Sequence, residues 1–230
     1  PYQTFITWLN KQQSDEPFWR DNLRGFAAPT PLNIDGKIER RPHQSVRYDE
    51  LRFALPPELA ANLQTFARDH RLTLSNVIQA AWALQLSRYS GEADVLYGTT
   101  VSGRSAPLPG IEQMAGVFIN TLPVRAQVDA NQSVLDWLQS FQQNQLRVQQ
   151  HEHTPLVKIQ GWSELPKDQS LFATLLAFEN YPQSDGLGQG NGLQVQRHPT
   201  VERTNFPLTI RILPEAATIH FFFIYDEQRF

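Results

Sequence analysis

The stretch VLYGTTVSGRSAPLPGIEQMAGVFINTLPVRAQV, residues 95–128, joins two apolar segments through a loop that is rich in Gly and Pro. The alternation and the β-branched residues in DVLYGTTVSGR (94–104) and NTLPVRAQVD (120–129) predict two strands, the first of which runs into a glycine turn. The second strand begins with a polar pair, Asn120 and Thr121. No nucleophile, metal cluster or phosphate loop accompanies this pair in the sequence, so the question is what the pair contacts.

The composition indicates a folded protein with a substantial core. The chain has 230 residues, 40% of them hydrophobic, a length that is large for one domain and small for two. The formal net charge of −3 and the scattered positive residues, with Arg40 and Arg41 as a short run, argue against nucleic-acid binding. No apolar run reaches the ~18 residues of a membrane span, and the start lacks a secretory leader. We therefore expect a cytoplasmic protein, and a start at Pro1 without Met favours a piece of a longer chain.

The sequence offers little catalytic chemistry of its own. It contains no cysteine, which excludes disulfides, thiolate nucleophiles and thiolate-bound metals. His151 and His153 lie two residues apart and do not share a helical face, so a surface pair at a helix end is favoured over a metal site. The remaining histidines stand alone in the sequence. GTTVSGR (98–104) lacks the Lys of a phosphate-binding loop, and no Gly-x-Ser-x-Gly nucleophile elbow occurs.

Helical periodicity and capping residues predict long helices at 57–70, 75–90 and 133–150. The second is expected to have Ser75 as its N-cap and to stop at Gly91. Its apolar residues cover most of its circumference, which predicts near-complete burial: Val77, Ile78, Ala81, Trp82, Leu84 and Leu86. The third is expected to be amphipathic, with Ser133 as its cap and an apolar side formed by Val134, Leu135, Trp137, Leu138, Phe141 and Leu146.

Shorter helices and several strands complete the prediction. The shorter helices are expected at 2–9, 14–25 and around 155–160, and the other strands at 45–56, 170–181, 193–202, 206–215 and 218–226. Polar segments rich in Pro and Gly predict loops at 28–45 and 182–192. Helices followed by consecutive late strands favour an α/β fold, in the form of an α+β sandwich with a mixed β-sheet and helices packed on it.

Several motifs occur in the order found in one enzyme family. The stretch at 95–128 resembles the central signature of the condensation domains of nonribosomal peptide synthetases. YQTFITWL (2–9) resembles that family's Tyr-x-Asp-Tyr-x-x-Trp helix, and HEHTPLVKIQ (151–160) resembles its His-x-x-x-Pro-Leu segment. LFATLLAFENYP (171–182) resembles the family strand that ends in Phe-Glu-Asn-Tyr-Pro, and RTNFPLTI (203–210) resembles the later motif that ends in Pro-Leu. The resemblance covers almost the whole chain.

Two departures and one absence accompany the resemblance. Thr4 stands where the first helix of the family usually has Asp, and Ala173 stands where the strand motif begins with Phe-Asp. The family's His-His-x-x-x-Asp-Gly motif occurs nowhere in the chain, since HPTVE (198–202) has neither the paired His nor the Gly. The resemblance therefore implies the C-terminal lobe of a two-lobed chloramphenicol-acetyltransferase-like fold, with 1–25 as a helical segment leading out of the N-terminal lobe and 26–230 as the C-terminal lobe.

The resemblance also implies a reaction. In the family, the phosphopantetheine arms of two carrier domains enter a tunnel between the lobes from opposite sides, and an α-amine is joined to a thioester. The catalytic His would belong to the other lobe, so no catalytic residue is expected in this chain. Ser102, Gly103 and Arg104 are expected at the tunnel near that His, with Ser102 contacting the incoming amine. Asn120 and Thr121 are expected to fix the neighbouring loop more than to touch the substrate.

Two functions remain open at this point. The first is peptide-bond formation, in which the chain is inactive alone and works with the N-terminal lobe, the upstream and downstream peptidyl carrier domains and the adenylation domain of the same synthetase. The second is a non-catalytic module that binds carrier proteins. No cofactor is expected to bind directly, because the phosphopantetheine arms belong to the carrier domains. The Asn-Thr-Leu-Pro-x-Arg form favours condensation over the related epimerising and heterocyclising domains, and no nucleic-acid or membrane partner is expected.

Overall fold

A computed structural model describes residues 1–34, 46–180 and 204–230. The helices are α1 (Tyr2–Leu9), α2 (Glu16–Asn22), α3 (Pro57–Asp69), α4 (Leu74–Ser90), α5 (Val134–Gln149) and α6 (Leu156–Trp162). The strands are β1 (Tyr48–Ala54), β2 (Asp94–Val101), β3 (Asn120–Gln127), β4 (Thr174–Phe178), β5 (Leu208–Pro214) and β6 (Ile219–Asp226), and a short 3₁₀ helix covers Ile111–Gln113. The predicted strand at 193–202, the predicted loop at 182–192 and part of the predicted loop at 28–45 lie outside the described residues.

The described strands form one mixed sheet in the order β1-β6-β5-β4-β2-β3. β4 runs parallel to both of its neighbours, and the other pairs are antiparallel. Because β2 and β4 are parallel neighbours, their C-terminal ends at Val101 and Phe178 lie at the same edge of the sheet. The predicted mixed sheet with packed helices is confirmed.

Strand β2, which lies between β4 and β3, is buried on both faces. Val95 and Tyr97 belong to the larger core cluster, in which α3, α4 and α5 pack on the sheet. Leu96 lies between them in sequence and packs in a second cluster with Trp19 of α2 and Ile159 of α6. Successive side chains of a strand point to opposite faces, so helices cover this part of the sheet on both sides. This double burial fixes the direction in which β2 leaves the core.

Helix α1 packs on the loop between β2 and β3. Phe5 lies against Phe118, with ring centroids 4.7 Å apart, and the Tyr2 hydroxyl donates a hydrogen bond of 2.6 Å to the carbonyl of Val117. These contacts form a third hydrophobic cluster that is separate from the two around β2. The N-terminal helix therefore holds the loop that precedes β3.

Two expectations for α4 are wrong in detail. Thr73, not Ser75, is the N-cap, because its Oγ1 accepts a hydrogen bond of 3.1 Å from the Asn76 N–H. The expected near-complete burial fails at Ala81 and Leu84, which are exposed. α4 lies on the surface of the sheet, so one side of it faces solvent even though that side carries apolar residues.

The other elements match the sequence prediction with shifts at their ends. α5 is amphipathic and Ser133 caps it, but Val134 and Leu146 of its expected apolar side are exposed. The strand expected at 170–181 is shorter, since β4 covers Thr174–Phe178. α2 ends at Asn22, before the expected stop at Gly25. No helix of the described residues has the length and apolarity that crossing a membrane requires.

Candidate functional site

A cleft opens at the edge of the sheet where β2 and β4 end. It has a volume of about 510 Å³, and its walls come from these strand ends, the first turns of α4 and the C-terminal half of α5. Much of its wall consists of neutral polar groups, including the side chains of Ser75, Asn76, Thr100, Ser102, Gln145 and Gln149. We call it the strand-end cleft.

Ser102 is the sequence-predicted site residue that lines the strand-end cleft. It directly follows the last residue of β2 and is exposed. Its Oγ accepts a hydrogen bond of 3.4 Å from the Arg104 N–H. A hydroxyl can donate one hydrogen bond while it accepts others, so the Ser102 O–H can still donate to a ligand in the cleft.

Gly103 turns the chain away from the cleft immediately after Ser102. Its φ angle of +64° lies in the left-handed region, which residues with a Cβ atom adopt at a cost. A Cβ atom at this position would also collide with the carbonyl oxygen of Phe118. The turn therefore requires Gly for two independent reasons.

Arg104 contacts the loop between β2 and β3 and is not among the residues that line the cleft. Its guanidinium donates to the carbonyls of Ile111 and Met114, the second at 3.0 Å. The same group lies over the Phe118 ring, 4.2 Å from the ring centroid. Since Gly103 also packs on Phe118, Gly103 and Arg104 together fix the start of this loop to its end.

The polar pair at the start of β3 has a hydrogen-bonding explanation. Asn120 Nδ2 donates to the carbonyl oxygens of Glu152 and Thr154 at 2.8 and 2.7 Å. Asn120 thereby attaches the beginning of β3 to the turn that follows α5. Thr121 lies opposite Thr100 in the β2–β3 ladder and is half-buried.

The turn at 151–154 is held from several directions. His151 Nδ1 lies 2.7 Å from Asp15 Oδ1, and Thr154 Oγ1 donates to Asp15 Oδ2 at 2.5 Å. His153 packs edge-on against Phe5 and Trp8 of α1, and its burial lowers its pKa below the ordinary value. His151 and His153 thus have different partners. Within the described residues, no group of three or more His, Cys, Asp or Glu side chains could hold a metal ion.

Glu152 is a cleft residue that sequence reasoning missed. It is only 2% exposed, its Oε1 accepts a hydrogen bond of 3.0 Å from the Ser105 N–H, and it lines the cleft together with Ser102. A Glu between two His at the end of a helix is typical of solvated surface, so the local sequence gives no signal of burial. The surrounding chain covers this side chain because the Ser105 N–H binds the carboxylate and Asn120 binds the backbone carbonyl of Glu152.

The model of the condensation domain family matches residues 1–230, the whole of the chain. The chain belongs to the condensation domain family. The resemblance carried by the stretch at 95–128 and by the other ordered motifs is therefore confirmed.

Relatives of this condensation domain chain include large synthetases. One of the linear gramicidin synthase proteins of Brevibacillus parabrevis is 45% identical over 232 residues, and chondramide synthase of Chondromyces crocatus is 42% identical over 231 residues. Both alignments cover 100% of the chain. The chain spans 4% of the first relative and 6% of the second.

Solved structures share the fold of this condensation domain chain. A four-domain nonribosomal peptide synthetase bound to AMP and glycine matches with a TM-score of 0.78 at 18% identity, covering 96% of this chain and 18% of that one. The X-domain from teicoplanin biosynthesis matches with a TM-score of 0.78 at 24% identity, covering 99% of this chain and 53% of that one. These likenesses confirm the predicted fold class, the chloramphenicol-acetyltransferase-like fold of condensation domain structures.

Proposed function

We propose that this chain is the C-terminal lobe of a condensation domain that forms amide bonds between aminoacyl or peptidyl thioesters held on carrier domains. The observation that carries the proposal is the match of the whole chain to the condensation domain family. The coverage of about half of several solved chains, 53% of the X-domain among them, supports a division into two lobes. In this proposal, residues 1–25 lead out of the N-terminal lobe and residues 26–230 form the C-terminal lobe.

The reaction needs little acid–base help from this lobe. The neutral α-amine nitrogen attacks the thioester carbonyl, the C–N bond forms, the C–S bond breaks, and the proton lost by the amine goes to the departing thiolate, which leaves as the thiol. An α-amine has a pKa of about 7.7 to 8.0, so part of it is already the free nucleophile near neutral pH. Holding two tethered reactants in place contributes roughly 7 to 11 kcal/mol, which exceeds the typical contribution of one acid–base group.

The residues of the strand-end cleft then act by positioning. The Ser102 hydroxyl contacts the incoming amine, while Gly103 and Arg104 fix the loop beside it. Asn120 holds the turn at 151–154, and Thr121 supports the same strand end. The His-His-x-x-x-Asp-Gly motif does not occur in these 230 residues, so we assign the catalytic His to the N-terminal lobe.

The partners of the lobe follow from the same proposal. They are the N-terminal condensation lobe, the upstream and downstream peptidyl carrier domains with their phosphopantetheine arms as substrate carriers, and the adenylation domain of the same synthetase. We propose a cytoplasmic location and no nucleic-acid or membrane partner. Arms entering the cleft would meet hydroxyl and amide groups, which suit the amides of pantetheine.

A reconstitution experiment tests the proposal. The chain is produced alone and joined to the residues that precede it in its parent protein, and each form is mixed with loaded donor and acceptor carrier proteins. The expected result is no amide product from the chain alone and product in a single turnover from the joined form, as detected by mass spectrometry. Product from the chain alone would contradict the inactivity, and carrier binding without product in the joined form would favour the non-catalytic module.

A further inference from the structure

The Glu152 carboxylate is buried in the wall of the cleft with little compensation for its charge. The residue is 2% exposed, and its hydrogen-bond donor is the backbone N–H of Ser105 at 3.0 Å. No Lys or Arg of the described residues forms an ion pair with it. The nearest basic group is His153 Nε2 at 3.9 Å, and burial lowers the pKa of His153, which favours the neutral imidazole.

The rest of the cleft wall carries no formal charge to balance Glu152. Among the described residues that line the cleft, the others are apolar, hydroxyl or amide side chains, including Ser102 and Gln149. A buried carboxylate destabilises a fold unless cations or hydrogen-bond donors compensate it. The cleft therefore has a negative field that favours a cationic group inside it.

We propose that Glu152 is a specificity-determining residue that binds the ammonium form of the amine substrate in the strand-end cleft. This proposal rests on the proposed function, because only an amide-forming lobe meets such a substrate. A carrier-tethered amino acid has its carboxyl group in a neutral thioester, so its ammonium is uncompensated and complements Glu152. A free amino acid also carries a carboxylate, which the same field repels.

The carboxylate acts on binding and not on the bond-forming step. The bound ammonium must lose its proton before its nitrogen attacks the thioester, and a neighbouring carboxylate stabilises the protonated form. Removing the charge of Glu152 should therefore weaken binding of the amine and raise KM, and it should not lower kcat, because less of the bound amine is held in the protonated form. Glu152→Gln is the matching substitution, because a Gln oxygen can still accept the hydrogen bond from Ser105 N–H.

The test measures equilibrium binding of two probes to the protein that contains both lobes. L-Alanyl-S-pantetheine carries the ammonium group, and propionyl-S-pantetheine lacks it but is otherwise the same. In Glu152→Gln, the Kd of the alanyl probe should increase about tenfold to a hundredfold, as expected for a lost hydrogen bond to a charged group. The Kd of the propionyl probe should stay constant. Glu92→Gln removes an exposed carboxylate at the opposite end of β2 and should change neither Kd.

The outcomes separate this inference from the proposed function. Equal Kd values of the alanyl probe in wild type and Glu152→Gln would overturn the role of Glu152, and so would a parallel weakening of both probes, which indicates a structural effect. Amide formation is measured separately with loaded carrier proteins. Absence of product in the wild type would overturn the proposed function, while the binding comparison would still decide whether Glu152 recognises an ammonium group.

Discussion

The two ends of the β2–β3 hairpin both carry polar residues but differ in how completely these groups are paired. At the end away from the cleft, Arg125 donates to both carboxylate oxygens of Asp94, and its Nη1 donates to the carbonyls of Asn22 and Arg24 at 2.9 and 2.8 Å. The hydrogen bonds to Asp94 raise the pKa of Arg125. At the cleft end, the Ser102 hydroxyl is exposed.

This difference separates a region that holds the fold from a region that can bind a ligand. Arg125 lies in the wall of a groove of about 610 Å³, which is larger than the strand-end cleft. The nitrogen atoms of its guanidinium already donate hydrogen bonds to protein groups. The strand-end cleft is smaller and contains a hydroxyl and a buried carboxylate, Glu152, with capacity for a further partner. Cavity size is therefore a poorer guide to the site than the state of its polar groups.

The largest effect should come from breaking the end away from the cleft. Arg125→Ala removes the partner of Asp94 in a part-buried ion pair and the donor to two backbone carbonyls. It should lower the free energy of unfolding by about 3 kcal/mol, most of it from the lost hydrogen bonds of a charged donor. Arg125→Lys should recover less than half of this loss, because one ammonium cannot reproduce the guanidinium fork. Urea denaturation measures both values. A loss as small as the ~0 to 1 kcal/mol of a surface ion pair would erase the contrast between the two ends.

A glycine pair tests whether the turn at the cleft end is rigid. Gly103→Ala places a Cβ atom on a residue whose φ is left-handed and brings that atom into collision with the Phe118 carbonyl, so it should destabilise the protein by about 2 to 3 kcal/mol. Gly91 has a similar φ of +77°, but a Cβ atom there meets nothing within 4 Å. Gly91→Ala should therefore cost only about 1 kcal/mol, the conformational part. Equal losses of stability in Gly103→Ala and Gly91→Ala, measured by thermal or urea unfolding, would show that the turn at Gly103 can move to accommodate the added Cβ atom.

Ser102 and Arg104 should separate activity from stability within one turn. In the protein with both lobes, Ser102→Ala should raise the activation free energy of condensation by about 0.5 to 1.5 kcal/mol, which slows the reaction roughly twofold to tenfold. The melting temperature should not change. Arg104→Lys should lower the melting temperature almost as much as Arg104→Ala, because Lys cannot hold the Ile111 and Met114 carbonyls together. An unaltered rate in Ser102→Ala would make the segment a structural turn and remove Ser102 from the site.

The sequence predicted those parts of the fold whose determinants lie close together in the chain. The helix from Leu74 to Ser90 was predictable from its periodicity. Its N-cap was not, because Thr73 and Ser75 both stand near the start of the helix and both have a hydroxyl that can accept the capping hydrogen bond. The exposure of Leu84 was not predictable, since periodicity does not state which side of a helix meets the sheet. The ordered motifs indicated the family because each motif is a run of neighbouring residues, which can be recognised in the sequence without knowledge of the contacts that it makes in the fold.

The site was only partly predictable for a related reason. Ser102 could be proposed as a site residue because it directly follows a strand within the recognised motif. The partners of Asn120 lie 32 and 34 residues further along the chain, and no local pattern connects them. Glu152 accepts a hydrogen bond from Ser105, which lies 47 residues earlier in the chain, so its burial depends on tertiary structure and has no local signal. The polar pair was visible in the sequence, but its purpose was not.

The smallest expected effect is a pH dependence confined to the cleft end. Burial between Phe5 and Trp8 lowers the pKa of His153 in the folded protein below its unfolded value of about 6.5. Below that pH the unfolded chain binds more protons than the folded one, so this residue should reduce stability as the pH falls and should have no effect above neutrality.

Urea unfolding between pH 7.5 and pH 5 should show a shallower decline in the free energy of unfolding in His153→Gln than in the wild type. An identical decline in both proteins would mean that His153 can take up its proton without leaving its aromatic neighbours. Arg125 remains protonated throughout this range, so its contribution at the other end of the hairpin should stay constant.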